Sequence, residues 1–375
     1  MSNIPNPSDI PFQQIIKALL DLENTFPPRL LYRFSDLEKR DLDMLAEAWA
    51  DVPSWRRKAL IEDIEELGEK DTLLSFEALA RFALTDPDPE VRLPAVRTLW
   101  EYEDPKLAHI YLQMMKQDPS KEIRSASASA LGKYIYLGEI EEISASLLRT
   151  IEDELLSILN SEEEAQVRRS ALEALGYSSR DEVKPFIKTA YQSNEKEWIA
   201  SALFAMGRSA DPEWKPQVLE KLDSNLPLLR TEAARAAGEL EITAAKGKLL
   251  DLLDDPSDET RLASIWALSQ IGGSGVKEML ERVYREADDE EEIALIESAL
   301  DNLRFNQDMR LLPILDIGEI ESDLPEKDEY DEYEDYFLHK YAPDGDEDFE
   351  DDFDGFEIDE DFIEDNEDEG GDFDD

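Results

Sequence analysis

Hydrophobic residues along this chain recur on a long period. The stretch Glu90-Val-Arg-Leu-Pro-Ala-Val-Arg-Thr-Leu-Trp100 returns as Glu122-Ile-Arg-Ser-Ala-Ser-Ala-Ser-Ala-Leu-Gly132 and as Gln166-Val-Arg-Arg-Ser-Ala-Leu-Glu-Ala-Leu-Gly176. It continues through Glu197 to Gly207 and Leu228 to Gly238, with shortened forms starting at Glu259 and Glu292. Anchored on its second residue, the column is Val91, Ile123, Val167, Trp198, Leu229, Thr260 and Ile293, with steps of 32, 44, 31, 31, 31 and 33 residues. Within each period, apolar residues at three-and-four spacing predict a first helix, with small Ala and Ser permitting close helix approach. Asp86-Pro, Asp118-Pro and Asp255-Pro stand before these helices as helix-start chemistry. Gly132, Gly176, Gly207 and Gly238, nine residues past the anchor, are expected to end the first helix in a left-handed conformation. A second apolar helix follows, as at Val218 to Leu222 and Leu249 to Leu253.

Each period is thus an αα-hairpin with two apolar faces, and a hairpin of this size buries them only by stacking on its neighbours. The expected fold class is all-α, an α-solenoid. We expect an N-terminal extension and capping helix over 1–34 and a degenerate repeat over 35–84. About seven repeats of period near 31 should fill 85–317, with a tail over 318–375. The 44-residue step implies a lengthened helix or loop around Tyr134 to Asp153. With its Val-Arg, Ala and Leu-Gly positions, the chain resembles the HEAT-like repeat family, in the short bacterial form of the phycobilisome-lyase type. That resemblance implies a long protein-binding surface; its enzymatic branch implies a lyase-like or protein-modification factor.

Charge changes the picture at the C-terminal end. Of 375 residues, 92 are acidic and 39 basic, a formal net charge of −53. Residues 319–375 hold 30 of the acids against Lys327 and Lys340, so self-repulsion and scarce aliphatics predict a disordered tail. The remaining 62 acids and 37 bases suit a folded surface but disfavour a nucleic-acid groove. The chain has no cysteine and only His109 and His339, which excludes thiolate chemistry and leaves little for imidazole chemistry. No basic residue precedes Lys17 and no apolar run approaches the ~20 residues of a membrane span, so a cytoplasmic protein is expected.

Three sets of residues stand out. Arg92, Arg124, Arg168, Arg230 and Arg261 form a column interrupted by Ile199 and Ala294, read as a structural ladder in which each arginine pairs with an acid of the adjoining turn or repeat. Lys184, Lys215, Lys246 and Lys277 lie 31 residues apart near the start of four second helices, where the helix dipole disfavours cations. They are either locally paired or a cationic row that holds an acidic segment of a partner or of the tail. In the tail, Phe349, Phe353, Phe356 and Phe362 are candidate anchors among the acids. Trp198, Trp214 and Trp266 are read as core; a shared pocket of the three would instead favour a small-molecule site. No catalytic, cofactor or metal constellation is recognised, and a calcium loop around Glu350 to Asp361 lacks the right end residues. The expected function is a non-enzymatic protein–protein interaction scaffold, its solenoid holding a protein partner and its tail either recruiting a basic partner or covering the solenoid.

Overall fold

Helices run the whole described length of the chain, as the apolar spacing predicts. The computed structural model describes residues 10–310, which belong to a single unit spanning Met1–Leu311; the tail, with Phe349, Phe353, Phe356 and Phe362, lies outside the described residues. The N-terminal region consists of α1 (Phe12–Leu20), a 3-10 helix (Pro28–Phe34) and α2 (Lys39–Trp49). First helices of the repeats are α3 (Ser54–Lys70), α5 (Pro89–Thr98), α7 (Lys121–Glu139), α9 (Ala165–Leu175), α11 (Lys196–Arg208), α13 (Pro227–Glu239), α15 (Asp258–Ile271) and α17 (Glu290–Arg310). Between them lie the second helices α4 (Glu77–Ala83), α6 (Pro105–Gln117), α8 (Ala145–Leu159), α10 (Val183–Tyr191), α12 (Lys215–Lys221), α14 (Lys246–Asp251) and α16 (Val276–Glu286). The 44-residue step is taken up by helix: α7 and α8 run 19 and 15 residues, and Gly132 falls in the middle of α7.

Two layers result, and they differ in chemistry. The first helices stack each on the next, whereas the second helices lie against the first and scarcely touch one another. In α11 and α13 the buried positions of the first layer are mostly small, for example Ala202, Ala205, Ala233, Ala236 and Ala237. The second layer supplies bulk: Tyr111, Ile151, Ile187, Trp214, Leu249 and Leu280 are essentially inaccessible. Small residues let backbones approach while large ones fill the wider gap between layers, so the core is continuous from α1 to α17.

None of the four glycines adopts the left-handed conformation of the sequence expectation: Gly176 follows the last residue of α9 as its C-cap, whereas Gly132, Gly207 and Gly238 lie inside their helices. Gly176 has right-handed φ of −53°, and Gly132, Gly207 and Gly238 are absent from the positive-φ residues. A Cβ on Gly132, Gly176, Gly207 or Gly238 would stand 3.2, 2.8, 3.0 or 2.8 Å from the Cα of Ala174, Ala205, Ala236 or Ala267 on the next first helix. Glycine is therefore selected by interhelical approach. The left-handed turn comes later, at Glu141, Ala210 and Glu241. At Glu241 the following N–H of Ile242 bonds back to the carbonyl of Ala237 at 2.9 Å, which closes the helix without glycine.

The opposite end of each first helix carries the arginine column, and four of its five members act alike. Arg92 donates from Nε and Nη2 to Asp118 (2.9 and 2.7 Å) and from Nη1 to the carbonyls of Asp86 and Pro87. Arg124 does the same to Glu163 and the carbonyls of Asp118 and Pro119. Arg230 joins Asp255 to the Ser224 carbonyl, and Arg261 joins Glu292 to the Asp255 carbonyl. Each guanidinium thus staples its own loop to the carboxylate of the next repeat, with bidentate geometry in Arg92, Arg124 and Arg230. The Asp-Pro aspartates serve this staple, while the helix caps are the residues two further on: Asp88, Ser120 and Ser257. Arg57, which the pattern search missed, extends the ladder N-terminally by pairing with buried Asp86 at 3.2 Å. Arg168 differs: its guanidinium lies over the Trp198 ring, 5.5 Å from the centroid, and Ser193 occupies the position five before the anchor that Asp118 and Asp255 hold elsewhere.

Two glycines should respond oppositely to alanine. Gly238→Ala forces a methyl against the Ala267 backbone and within 2.6 Å of the Trp266 ring, and should cost about 1–3 kcal/mol. Gly247→Ala, on α14 with nothing within 4 Å, should stabilise by about 0.4–1 kcal/mol through helix propensity and unfolded-state entropy. Urea denaturation of the two variants against the parent checks both signs.

Candidate functional site

The lysine row lies where the period predicts, at the first turns of α10, α12, α14 and α16, and its members differ in how closely a carboxylate meets them. Lys184 contacts Asp211 at 2.6 Å and Glu213 at 3.3 Å, both from the next repeat. Lys246 donates to the Ser274 carbonyl at 3.3 Å, and Lys277 lies 4.0 Å from Glu281. Lys215 is exposed at the start of α12. The three tryptophans do not share a pocket. Trp214 is wholly buried between layers, Trp198 lies under Arg168, and Trp266 faces a groove between α15 and α17.

A different surface gathers unusual side chains: the open face of the first-helix layer. Between the ends of α3 and α5, a groove of about 560 Å³ is lined by Leu73, Trp100, Glu65, Glu69 and Glu101, with Leu73 90% exposed. Lys133 of α7 reaches back to the carbonyls of Trp100 and Glu101 (3.0 and 2.9 Å). One turn further on, exposed Tyr136 packs against Tyr177 at 5.6 Å between centroids. The Arg208 guanidinium lies over both Tyr177 (4.6 Å) and Phe204 (4.0 Å). At the far end, Trp266, Gln270, Leu295 and Phe305 line a groove of about 540 Å³, with Phe305 61% exposed. Aromatic rings therefore mark this face from α5 to α17.

Carboxylates interleave with the rings across α9, α11 and α13. Glu173 accepts from Ser201 Oγ at 2.6 Å, and its backbone carbonyl accepts from Arg208 Nη1 at 3.2 Å. Glu232 takes Arg235 at 2.8 Å on one oxygen, while Oε2 is buried without a hydrogen-bond partner. Glu239 lies over Gly207, in space that a Cβ there would occupy. It makes no hydrogen bond or ion pair among the described residues, although its residue surface reaches solvent. Desolvation pushes its carboxyl up to about 7; Glu232 adds to the shift, and Arg208 and Arg235 oppose it. Burial likewise raises Glu173 and Glu232, and it lowers Arg208, whose Nε has no partner. The staple carboxylate behaves in the opposite sense: burial pulls Asp255 upward, but Arg230 and the Ser257 N–H together hold it below the ordinary range.

Sequence reasoning missed this face because its residues do not share one column. Phe204 and Trp266 stand six residues after their anchors, Tyr177 ten and Tyr136 thirteen, so the period alone does not align them. The signal that was available is the offset itself: six and ten past the anchor lie one helical turn apart, flanking the small residues of the seam.

Residues 76–151 and 216–301 match a family model described as HEAT repeats. No curated protein matches the chain in sequence. Among solved structures, the complex of CpcE and CpcF of phycocyanin lyase from Nostoc sp. PCC7120 is similar at 15% identity and a TM-score of 0.47, over 80% of this chain and 100% of that one. Yeast importin-beta (Kap95p) aligns at 12% identity and a TM-score of 0.41, over 79% of this chain and 46% of its own. Human deoxyhypusine hydroxylase aligns at 18% identity and a TM-score of 0.34, over 78% and 96%.

The raised Glu239 carboxyl ties stability to pH in a definite sense. Between its ordinary value of 4.5 and about 7, the folded state keeps a proton that the unfolded chain has released, so this contribution is lost as pH rises through the folded value. The melting temperature of Glu239→Gln should therefore fall less between about pH 5 and pH 8 than that of the parent. Parallel curves from calorimetry would show that the carboxyl is not held up by burial.

Proposed function

Because the chain is a HEAT-like repeat protein, we propose that it works as a non-catalytic scaffold holding a protein partner along the open face of its first helices. One observation carries this reading: Trp100, Tyr136 and Phe305 stand 43%, 48% and 61% exposed on successive parts of a face that also carries Tyr177, Phe204, Arg208 and Trp266. Aromatic side chains and arginine are the residues that anchor protein interfaces, and a line of them on one stacked surface suits an elongated partner. Repeat stacking supplies a rigid support, since each ring is carried by a helix fixed to two neighbours. In this reading the protein acts in the cytoplasm, and the acidic tail beyond residue 318 recruits a basic partner or lies over the body. The row of Lys184, Lys215, Lys246 and Lys277 is the place on the second-helix layer for an acidic segment, with Lys215 its most available member.

Two variants separate the faces. Proteins retained from cell extract by the parent should be lost by Trp100→Ala/Tyr136→Ala/Phe305→Ala and kept by Lys215→Glu/Lys246→Glu, as read by mass spectrometry at matched ionic strength. Retention of the same set by the aromatic variant would overturn the assignment of the binding face. All three aromatic positions are exposed, so circular dichroism should find both variants folded.

A further inference from the structure

The stretch of this face across α9, α11, α13 and α15 holds more negative charge than its own cations meet. Three carboxylates, Glu173, Glu232 and Glu239, stand with Arg208 and Arg235, while Arg169 acts on Glu173 and a fourth carboxylate, Glu259, lies in the field of Arg235. Arg235 is nearly half exposed and reaches only one oxygen of Glu232. Arg208 is held by the rings of Tyr177 and Phe204 and bonds the backbone carbonyl of Glu173, with no ion pair to any of the three side chains. Among the described residues, Oε2 of Glu232 and both oxygens of Glu239 are thus left without a cation in contact. Beside them is the ring of Trp266 on α15, which lies over Gly238 as the Glu239 carboxylate lies over Gly207.

We propose that this stretch takes a lysine- or arginine-bearing segment of a partner protein, whose cations enter between Glu232 and Glu239 and rest against the ring of Trp266. The inference depends on the scaffold reading and names the chemistry of the partner. Its ground is complementarity. Arg208 already occupies the neighbouring seat between two rings, so the surface demonstrably accommodates a stacked cation, and such contacts strengthen where water is displaced. The chain's own tail has the wrong sign for this seat, with 30 acids against Lys327 and Lys340. A second copy of the chain, at net −53, would bring carboxylates onto carboxylates in a two-fold contact. Nucleic acid is repelled for the same reason.

Proton linkage gives the interaction a signature. The groups that face Glu239 are Tyr177 from the α9 side, Arg208 of α11 and Glu232 and Arg235 of α13; Glu173 of α9 acts on Glu232, and Glu259 of α15 lies within the field of Arg235. A cation that docks there favours the ionised carboxylate, so binding releases a proton below about pH 7 and tightens as pH rises through that range.

The test uses the full chain and a short fluorescent peptide alternating lysine with leucine, with its glutamate-for-lysine counterpart as control, at about 0.15 M salt. Glu232→Gln/Glu239→Gln should weaken lysine-peptide binding about tenfold or more, a change of roughly 1.4 kcal/mol. Glu162→Gln/Glu278→Gln, the same change in net charge at exposed sites elsewhere, should weaken it less than about twofold. Parent affinity should rise from about pH 6 to pH 8, and Glu239→Gln should flatten that rise. Equal weakening by both pairs would reduce the interaction to general attraction by a polyanion and overturn the proposal. Cross-links from the tail to α13, or a dimer lost in the Glu232/Glu239 variant, would give the seat to the tail or a second copy and overturn it too. If the parent fails to bind the peptide while the exposed aromatics still govern protein capture, the scaffold reading stands and this inference falls. If capture is also indifferent to the aromatics, both fall.

Discussion

The stack depends on one contact, glycine on one first helix against an alanine backbone on the next. Gly132, Gly176, Gly207 and Gly238 meet Ala174, Ala205, Ala236 and Ala267 with no room for a Cβ. Helices that approach this closely exclude bulky side chains from the point of contact, so Gly and Ala meet there and larger side chains fill the volume around it. The same exclusion pushes the large residues of the first helices to the sides of the seam. Those on the inner side join the core, and those on the outer side, such as Phe204 and Trp266, are left on the open face. The binding surface is in this sense a by-product of the packing rule.

Close approach at one end of each helix is matched by an ion pair at the other. Buried pairs such as Arg92–Asp118 and Arg230–Asp255 carry a desolvation cost that their Coulomb attraction alone offsets poorly. Their additional bonds to loop carbonyls satisfy the remaining guanidinium protons and fix the register of neighbouring repeats. Around α11 this device is missing, because Arg168 stacks on Trp198 and Ile199 replaces the next arginine. There the tie moves to the glycine end: Ser201 bonds Glu173, and Arg208 reaches the Glu173 carbonyl and the Tyr177 ring. The most polar part of the open face thus coincides with the interfaces that lack a staple.

Much of this architecture was legible in the sequence, because a solenoid repeats its contacts as it repeats its residues. The steps of 31 residues located the helices, and the arginine column marked a position that recurs at each interface. The glycine column was legible in position and misleading in meaning. A glycine nine residues into a helical pattern has the appearance of a C-cap, and only the alanine two places before the same offset in the following repeat reveals that a backbone approaches it. The left-handed residues, Glu141, Ala210 and Glu241, carried no glycine to announce them. The lysine row was visible as spacing, whereas Asp211 and Glu213, the partners of Lys184, belong to the next repeat and share no column with it. The aromatic face was invisible for a related reason, since its members sit at several offsets and meet only after the helices stack.

The glycine column also explains how a uniform stack acquires one distinctive seat. Gly207 and Gly238 each leave a methyl-sized vacancy above the seam, and the chain fills the first with the Glu239 carboxylate and the second with the Trp266 ring. At Gly176 the vacancy is closed by the backbone of Ala205, and at Gly132 by Ala174 and the edge of Arg208. Carboxylate, ring and guanidinium therefore occupy equivalents of one packing position, at Gly207, Gly238 and Gly132. A carboxylate lodged there loses water on the side of the helices and keeps it on the open side, which is why its proton is retained to about pH 7 while the group stays within reach of a partner. Moving the same glutamate to a freely solvated turn would leave the net charge unchanged and remove both properties, so the chemistry of the seat resides in the stacking geometry rather than in the acidity of the chain.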